Sequence, residues 1–170
     1  MMADKRTYLL AVFDEDTQQR MAGYYEILTA KGLVGQQTKD IPYHFTLGDV
    51  ETEREADIVE KTEEICANST PIEFRMDHIG LFGSNVLFLE PNMNFELLEL
   101  QSKLFPGCGH GYTPWTAHGT ILLDEPDNIL KAVPLLAQSF RAFASRIESV
   151  SIYEFFPTRY IGQIRLGAKI

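Results

Sequence analysis

The sequence predicts an α+β fold built from two similar halves, and three observations predict it. Mostly apolar or alternating runs mark strands, and apolar residues at helical spacing mark helices between them. The order strand, helix, strand, helix, strand occurs twice. The third element of each half carries a histidine and a threonine two residues apart, His44-Phe45-Thr46-Leu47 and His118-Gly119-Thr120-Ile121. Identity between the halves is low, so the repeat rests on element order and motif position. Residues 1–170 read as one two-lobed domain, with approximate repeats 7–82 and 85–156 and a closing strand 160–166.

In the first half, residues 7–13 are a buried strand. Asp16-Thr17-Gln18-Gln19 offers caps for a helix carrying Met21, Tyr24, Tyr25 and Leu28, and Gly32 is placed to stop it. Tyr43 to Val50 is the strand with the first His-Thr pair. Thr52-Glu53-Arg54-Glu55 has the pattern of a capping box before a helical face of Ile58, Val59, Thr62, Ile65 and Cys66, and Ile72 to Leu81 is a strand. The second half repeats the order. Val86 to Glu90 is a strand, and Asn94 caps a helix through Leu97, Leu98, Leu104 and Phe105 that Pro106-Gly107 ends. Thr116 to Leu123 is the strand with the second pair. The next helix runs from Asn128 to Phe140, with Pro134 expected to kink it or delay its start. Ser145 to Phe156 and Tyr160 to Leu166 close the chain as a hairpin. The glycine-rich stretch 106–115 is a candidate rim beside the second motif.

Composition narrows the function. Hydrophobic residues make up 45% and charged residues 23%, a soluble globular balance, and no run approaches the ~20 apolar residues of a membrane span. The apolar stretch Thr7 to Phe13 is short, runs into Asp14-Glu15-Asp16 and lacks a small-residue cleavage site, so it does not read as a signal peptide. Cys66 and Cys108 have no metal spacing and read as reduced thiols of a cytoplasmic protein. A net charge of −9, with 15 dispersed basic residues, argues against an extended nucleic-acid surface. A small nucleotide in a local pocket stays compatible with it.

Residues i and i+2 of a strand share a face, so each motif presents one imidazole beside one hydroxyl. Two such pairs across a cleft would supply two acid–base groups and two donors to phosphoryl oxygens. Histidine suits both proton transfers because its ordinary pKa of about 6.5 leaves both forms accessible near neutrality. Threonine is at home in a strand and restricted at χ1. Alone, a His-x-Thr tripeptide is more often an exposed imidazole and a sheet hydroxyl; its recurrence at matching places is what carries weight. His78 reads as structural or solvent-facing, and His110 as a loop bystander. The four histidines lack a carboxylate or cysteine constellation, so no metal site and no cofactor are expected. Tyr43, Tyr112 and Trp115 adjoin the motifs and are candidates to stack on a base, with core packing the equal alternative. Arg159 and Tyr160, before the last strand, are candidates to meet a phosphate or ribose; a plain hairpin turn is the competing reading. The acidic runs 51–55 and 124–127 read as helix N-terminal charge.

On His44, Thr46 and Leu47 and on His118, Thr120 and Ile121, the chain resembles the two-histidine phosphoesterase superfamily, which includes the 2′-5′ RNA ligase-like proteins and cyclic nucleotide phosphodiesterases. Both copies match its H-x-[ST]-x pattern with an apolar last residue. Two positions depart from it: Ala117, not proline, precedes His118, and Leu122-Leu123-Asp124 follows the second motif where the RNA ligase-like branch often has a basic residue. The resemblance implies a bilobal pseudo-twofold domain, with two antiparallel sheets lining a central cleft and helices packed outside. It implies a metal-independent 2′,3′-cyclic phosphodiesterase acting on a nucleotide or RNA end, with His118 as base and His44 as acid. A monomer with a small nucleotide or RNA-end substrate and no membrane partner is expected. The competing readings are 2′-5′ RNA ligation with the roles exchanged, a nucleotide- or RNA-binding module without turnover, and a structural interaction protein, which would have no concave pocket between the motifs.

Overall fold

A computed structural model describes residues 5–92, 94–107 and 115–167. In chain order the elements are β1 (Arg6–Phe13), α1 (Glu15–Thr29), β2 (His44–Glu51), a 3-10 turn (Thr52–Arg54), α2 (Glu55–Ala67), β3 (Ile72–Phe82), β4 (Val86–Pro91), α3 (Phe95–Leu104), β5 (Gly119–Leu123), α4 (Pro126–Ser139), β6 (Phe143–Phe155) and β7 (Arg159–Arg165). The fold is α+β with an antiparallel sheet, and the element order expected for each half is present.

Local chemistry explains the ends of the elements. Asp14, ahead of the expected cap residues, caps α1 by accepting the Thr17 N–H. Past its end, Gly32 takes a left-handed φ of 81° while the Leu33 N–H closes onto the Leu28 carbonyl. Asn94 caps α3 as expected, through the Leu97 N–H. The capping box at Thr52–Glu55 does not form, because the Thr52 hydroxyl donates to the Lys5 carbonyl and the chain makes a 3-10 turn instead. Helix α4 runs through Pro134 and starts early, at Pro126, where a missing N–H costs nothing. The strand expected from Thr116 begins only at Gly119.

Among the described residues the sheet has seven strands in the order β2-β1-β6-β3-β4-β5, with β7 added to β6. The third strands of the two halves are exchanged: β6 joins β1 and β2, and β3 joins β4 and β5. Where two sheets were expected there is one, since β3 and β6 hydrogen-bond over Ile72–Met76 and Phe143–Ile147. Beyond that seam β3 departs with β4, and β7 takes over the β6 edge from Ser149 to Glu154. The motif strands β2 and β5 are the two ends of the order, yet they approach one another. The sheet is therefore curled, with both motifs beside one gap.

One face of the sheet carries the helices. Leu9, Ala11, Phe13, Phe45, Leu47, Ile121 and Ile152 pack there with Met21 and Leu28 of α1, Ile58 and Cys66 of α2, Leu97 and Leu104 of α3, and Ile129 and Leu136 of α4. Leu10, Val12 and Phe88 are also buried but lie outside that cluster, as the alternation of a strand requires. Burial pushes the Cys66 thiol up to about 12, so it is a packing group. Cys108, His110 and Tyr112 lie outside the described residues. No helix among the described residues is long and apolar enough to cross a membrane.

Candidate active site

The two motifs share a backbone irregularity as well as a sequence pattern. In β2, Leu9 faces Gly48 and Leu10 faces Thr46, so Leu47 is an extra residue in the ladder. In β5, Leu87 faces Leu122 and Phe88 faces Thr120, so Ile121 is the extra residue. Each motif thus ends in a β-bulge, and each bulged residue is buried, Leu47 at 0% and Ile121 at 1% exposure. The apolar fourth position has a physical role. It anchors the bulge in the core while the histidine and threonine before it stay on the opposite, half-buried face.

The imidazoles are held alike. His44 donates its Nδ1–H to the Pro42 carbonyl at 2.7 Å, and His118 donates its Nδ1–H to the Thr116 carbonyl at 2.9 Å. A carbonyl can only accept, so Nδ1 carries the proton in both rings and Nε2 is left as the acceptor nitrogen of each. Burial pushes His44 down to about 4, against the opposing pull of its Pro42 bond, and the neighbouring His118 pushes it further down. Burial also lowers His118, where the Thr116 carbonyl and the Glu90 carboxylate act in the opposite direction. The rings of Phe82 and Phe88 pack edge-on against His118, with centroids at 4.7 and 5.5 Å.

A cavity of about 730 Å³ opens beside the first motif. His44, Thr46, Thr120 and Tyr43 line it, together with Tyr8, Leu10, Phe155, Phe156 and the loop from Gln36 to Pro42. Tyr43, of the expected substrate residues, is on its wall. Trp115 is half-buried against the core, and its indole N–H donates to the Thr46 carbonyl at 2.9 Å. Arg159 pairs with Glu154, Nε to Oε1 at 3.1 Å, and with Glu55. It ties the β6–β7 turn to α2 and is absent from the cavity wall. Tyr160 is 58% exposed beside Tyr153.

The two halves are fastened to each other reciprocally. The segment leading into the second motif and helix α3 cap the free edge of β2, through Trp115 to the Thr46 carbonyl and Gln101 Nε2 to the Leu47 carbonyl at 3.2 Å. The segment leading into the first motif caps β5: the Gln36 N–H donates to the Leu123 carbonyl at 2.7 Å, and the Leu123 N–H to Gln37 Oε1 at 3.1 Å. Tyr8, Phe155, Phe156, Phe82 and Phe88 escaped the sequence reading. The alternation of β1 and β6 does place Tyr8 with Leu10 and Phe155 with Tyr153, but which face meets the gap depends on pairing across distant strands.

The family model of the 2′-5′ RNA ligase superfamily matches residues 26–155, so the chain belongs to that superfamily, within the two-histidine phosphoesterases. Among solved structures it is similar to E. coli LigT complexed with 3′-AMP, at 17% identity and TM-score 0.63, covering 96% of this chain and 99% of that one. It is similar to TT0787 of Thermus thermophilus, at 13% identity and TM-score 0.65, covering 97% and 100%. A structure described as a phosphoesterase aligns at 17% identity and TM-score 0.61, covering 98% and 100%. At these identities the likeness is one of fold. No curated protein sequence matches the chain.

Proposed function

We propose that the protein is a phosphoesterase of the 2′,3′-cyclic phosphodiesterase type, acting on a nucleotide or RNA end with His44, Thr46, His118 and Thr120 as its catalytic groups and no metal in the reaction. The observation that carries this is the matched tethering of the two imidazoles, each with Nε2 spare and a threonine two residues on. The base takes a proton from water, and the water oxygen bonds to phosphorus. The bond from phosphorus to the ribose oxygen breaks, and the acid gives that oxygen its proton. Thr46 and Thr120 donate to the nonbridging oxygens where charge builds.

Electrostatics favour His118 as the acid and His44 as the base, the reverse of what the resemblance implies. Burial lowers both imidazoles, but His44, pushed down to about 4, holds no proton to give near neutrality, whereas the Glu90 carboxylate acts to raise His118. The nucleotide reading draws on Tyr43 and the aromatic cavity wall, and on the 3′-AMP bound by the similar E. coli LigT. With exchanged roles the same groups would run 2′-5′ ligation, but a chain of net charge −9 is poorly suited to gripping two RNA ends.

The test is turnover by EDTA-treated protein on nucleoside 2′,3′-cyclic phosphates and 2′-5′ dinucleotides. Hydrolysis that His44→Ala and His118→Ala each abolish is the expected result. Folded protein that turns over none of these, or variants as active as the parent, would overturn the reading.

A further inference from the structure

The cavity wall continues outward as a row of aromatic rings. Tyr8 and Phe155 line the cavity and meet edge-on, with centroids 5.3 Å apart. Phe155 lies parallel to Tyr153 at 5.9 Å and 5° between planes, and Tyr153 meets Tyr160 at 5.3 Å. Phe156, 65% exposed, contacts Phe155 at 5.3 Å and also lines the cavity.

Strand register builds this row. Tyr8 faces Tyr153 across the β1–β6 pair, and Tyr153 faces Tyr160 across β6–β7. Ile152 faces Gly162, so Ile161 is an extra residue, and that bulge turns Tyr160 onto the face of Tyr153. Tyr8 shares its face with Leu10, which faces Thr46 of the first motif. The row therefore starts beside the motif threonine and crosses β6 to the exposed β7. Exposed polar residues of β7 flank it on that face: Gln163 and Arg165, which face the buried Ser151 and Ser149 of β6.

We propose that this row is a binding site for a single nucleic-acid strand running away from the reacting phosphate. The nucleotide next to that phosphate stacks on Tyr8, Phe155 and Phe156, and the following one on Tyr153 and Tyr160. The placement of the phosphate rests on the proposed function. An apolar face broad enough for a protein partner would not be one ring wide and edged by glutamine and arginine. A strand has that alternation, flat π-faces beside a polar backbone, and stacking tolerates any base. Stacking also suits an acidic chain, since among the described residues that line the cavity Lys39 is the sole lysine or arginine. The row thus reconciles a net charge of −9 with a substrate longer than one nucleotide.

The experiment measures binding of labelled single strands of one to four nucleotides ending in a 2′,3′-cyclic phosphate, by anisotropy, to the His44→Ala, His118→Ala double variant. Affinity is expected to rise from one to three nucleotides. Tyr160→Ala or Tyr153→Ala should remove about 5- to 150-fold of that gain, and Tyr153→Phe should keep it. The gain should persist at raised salt, unlike a phosphate grip. Affinity independent of length, a gain that survives both alanine variants, or equal binding of duplex overturns the proposal. Length-dependent binding with no turnover by the parent protein would sink the phosphoesterase reading and leave the row standing. Turnover of mononucleotides with no length gain would do the opposite.

Discussion

The indole N–H of Trp115 donates to the backbone carbonyl of Thr46 at 2.9 Å, joining the lead-in of one motif to the centre of the other across 69 residues of chain. β2 is an edge strand, so without this donor the carbonyl would turn to water. Trp115→Phe keeps an aromatic, though smaller, ring and loses the bond. The expected result is a stability loss of about 1 kcal/mol in denaturant unfolding, with kcat falling by up to about 10²-fold and KM moving less, because the loss is one of alignment.

Acid–base behaviour follows from the two imidazoles. The profile of kcat/KM should be bell-shaped, rising through about 4 as His44 loses its proton and falling below the ordinary histidine value as His118 loses its own. A p-nitrophenyl ester, whose leaving group needs no acid, should rescue His118→Ala and not His44→Ala; the opposite pattern would exchange the roles.

Stability should depend on pH through the same residue. The folded value of His44 is depressed, so between about 4 and the unfolded value of about 6.5 the unfolded chain binds more protons. Stability is expected to fall as pH drops through that window. Thermal melts of His44→Gln should show a shallower dependence over the same range.

Removing either motif hydroxyl should cost rate and little else. Thr46→Val and Thr120→Val keep a β-branched residue in the strand but lose the hydroxyl proposed to donate to the phosphoryl oxygens. A kcat loss on the order of 10² is expected for each, with an unchanged melting temperature and partial recovery in the serine variants.

Gly80 makes room for the ring that seats His118. A Cβ there would meet Phe88 Cε2 at 2.2 Å, and Phe88, 2% exposed, packs against the imidazole. Gly80→Ala should destabilise by about 1–3 kcal/mol through overpacking and lower activity with it. Gly162→Ala is the control, since nothing lies within 4 Å of a Cβ there.

Much of this was legible in the chain because it is periodic. Apolar spacing located the helices and strands, and the i, i+2 placement of His44 with Thr46 and of His118 with Thr120 is a property of extended backbone. Asn94 announced its cap. The capping box at Thr52 failed because a hydroxyl can bond to any carbonyl brought near it, and Lys5 arrives from another strand. Arg159 looked free to meet a phosphate for the same reason. Its carboxylates, Glu154 and Glu55, are supplied by a neighbouring strand and a helix a hundred residues away.

Local pattern determines which residues alternate, and so which side chains travel together: His with Thr, Tyr8 with Leu10, Tyr153 with Phe155. It does not say what lies across from them. Strand exchange between the halves, the β3–β6 seam and the bulges at Leu47 and Ile121 arise from pairing between distant segments, whose register is set by the shared core. Only that pairing brings β2 and β5, the two ends of the sheet, and with them the two motifs, near one another.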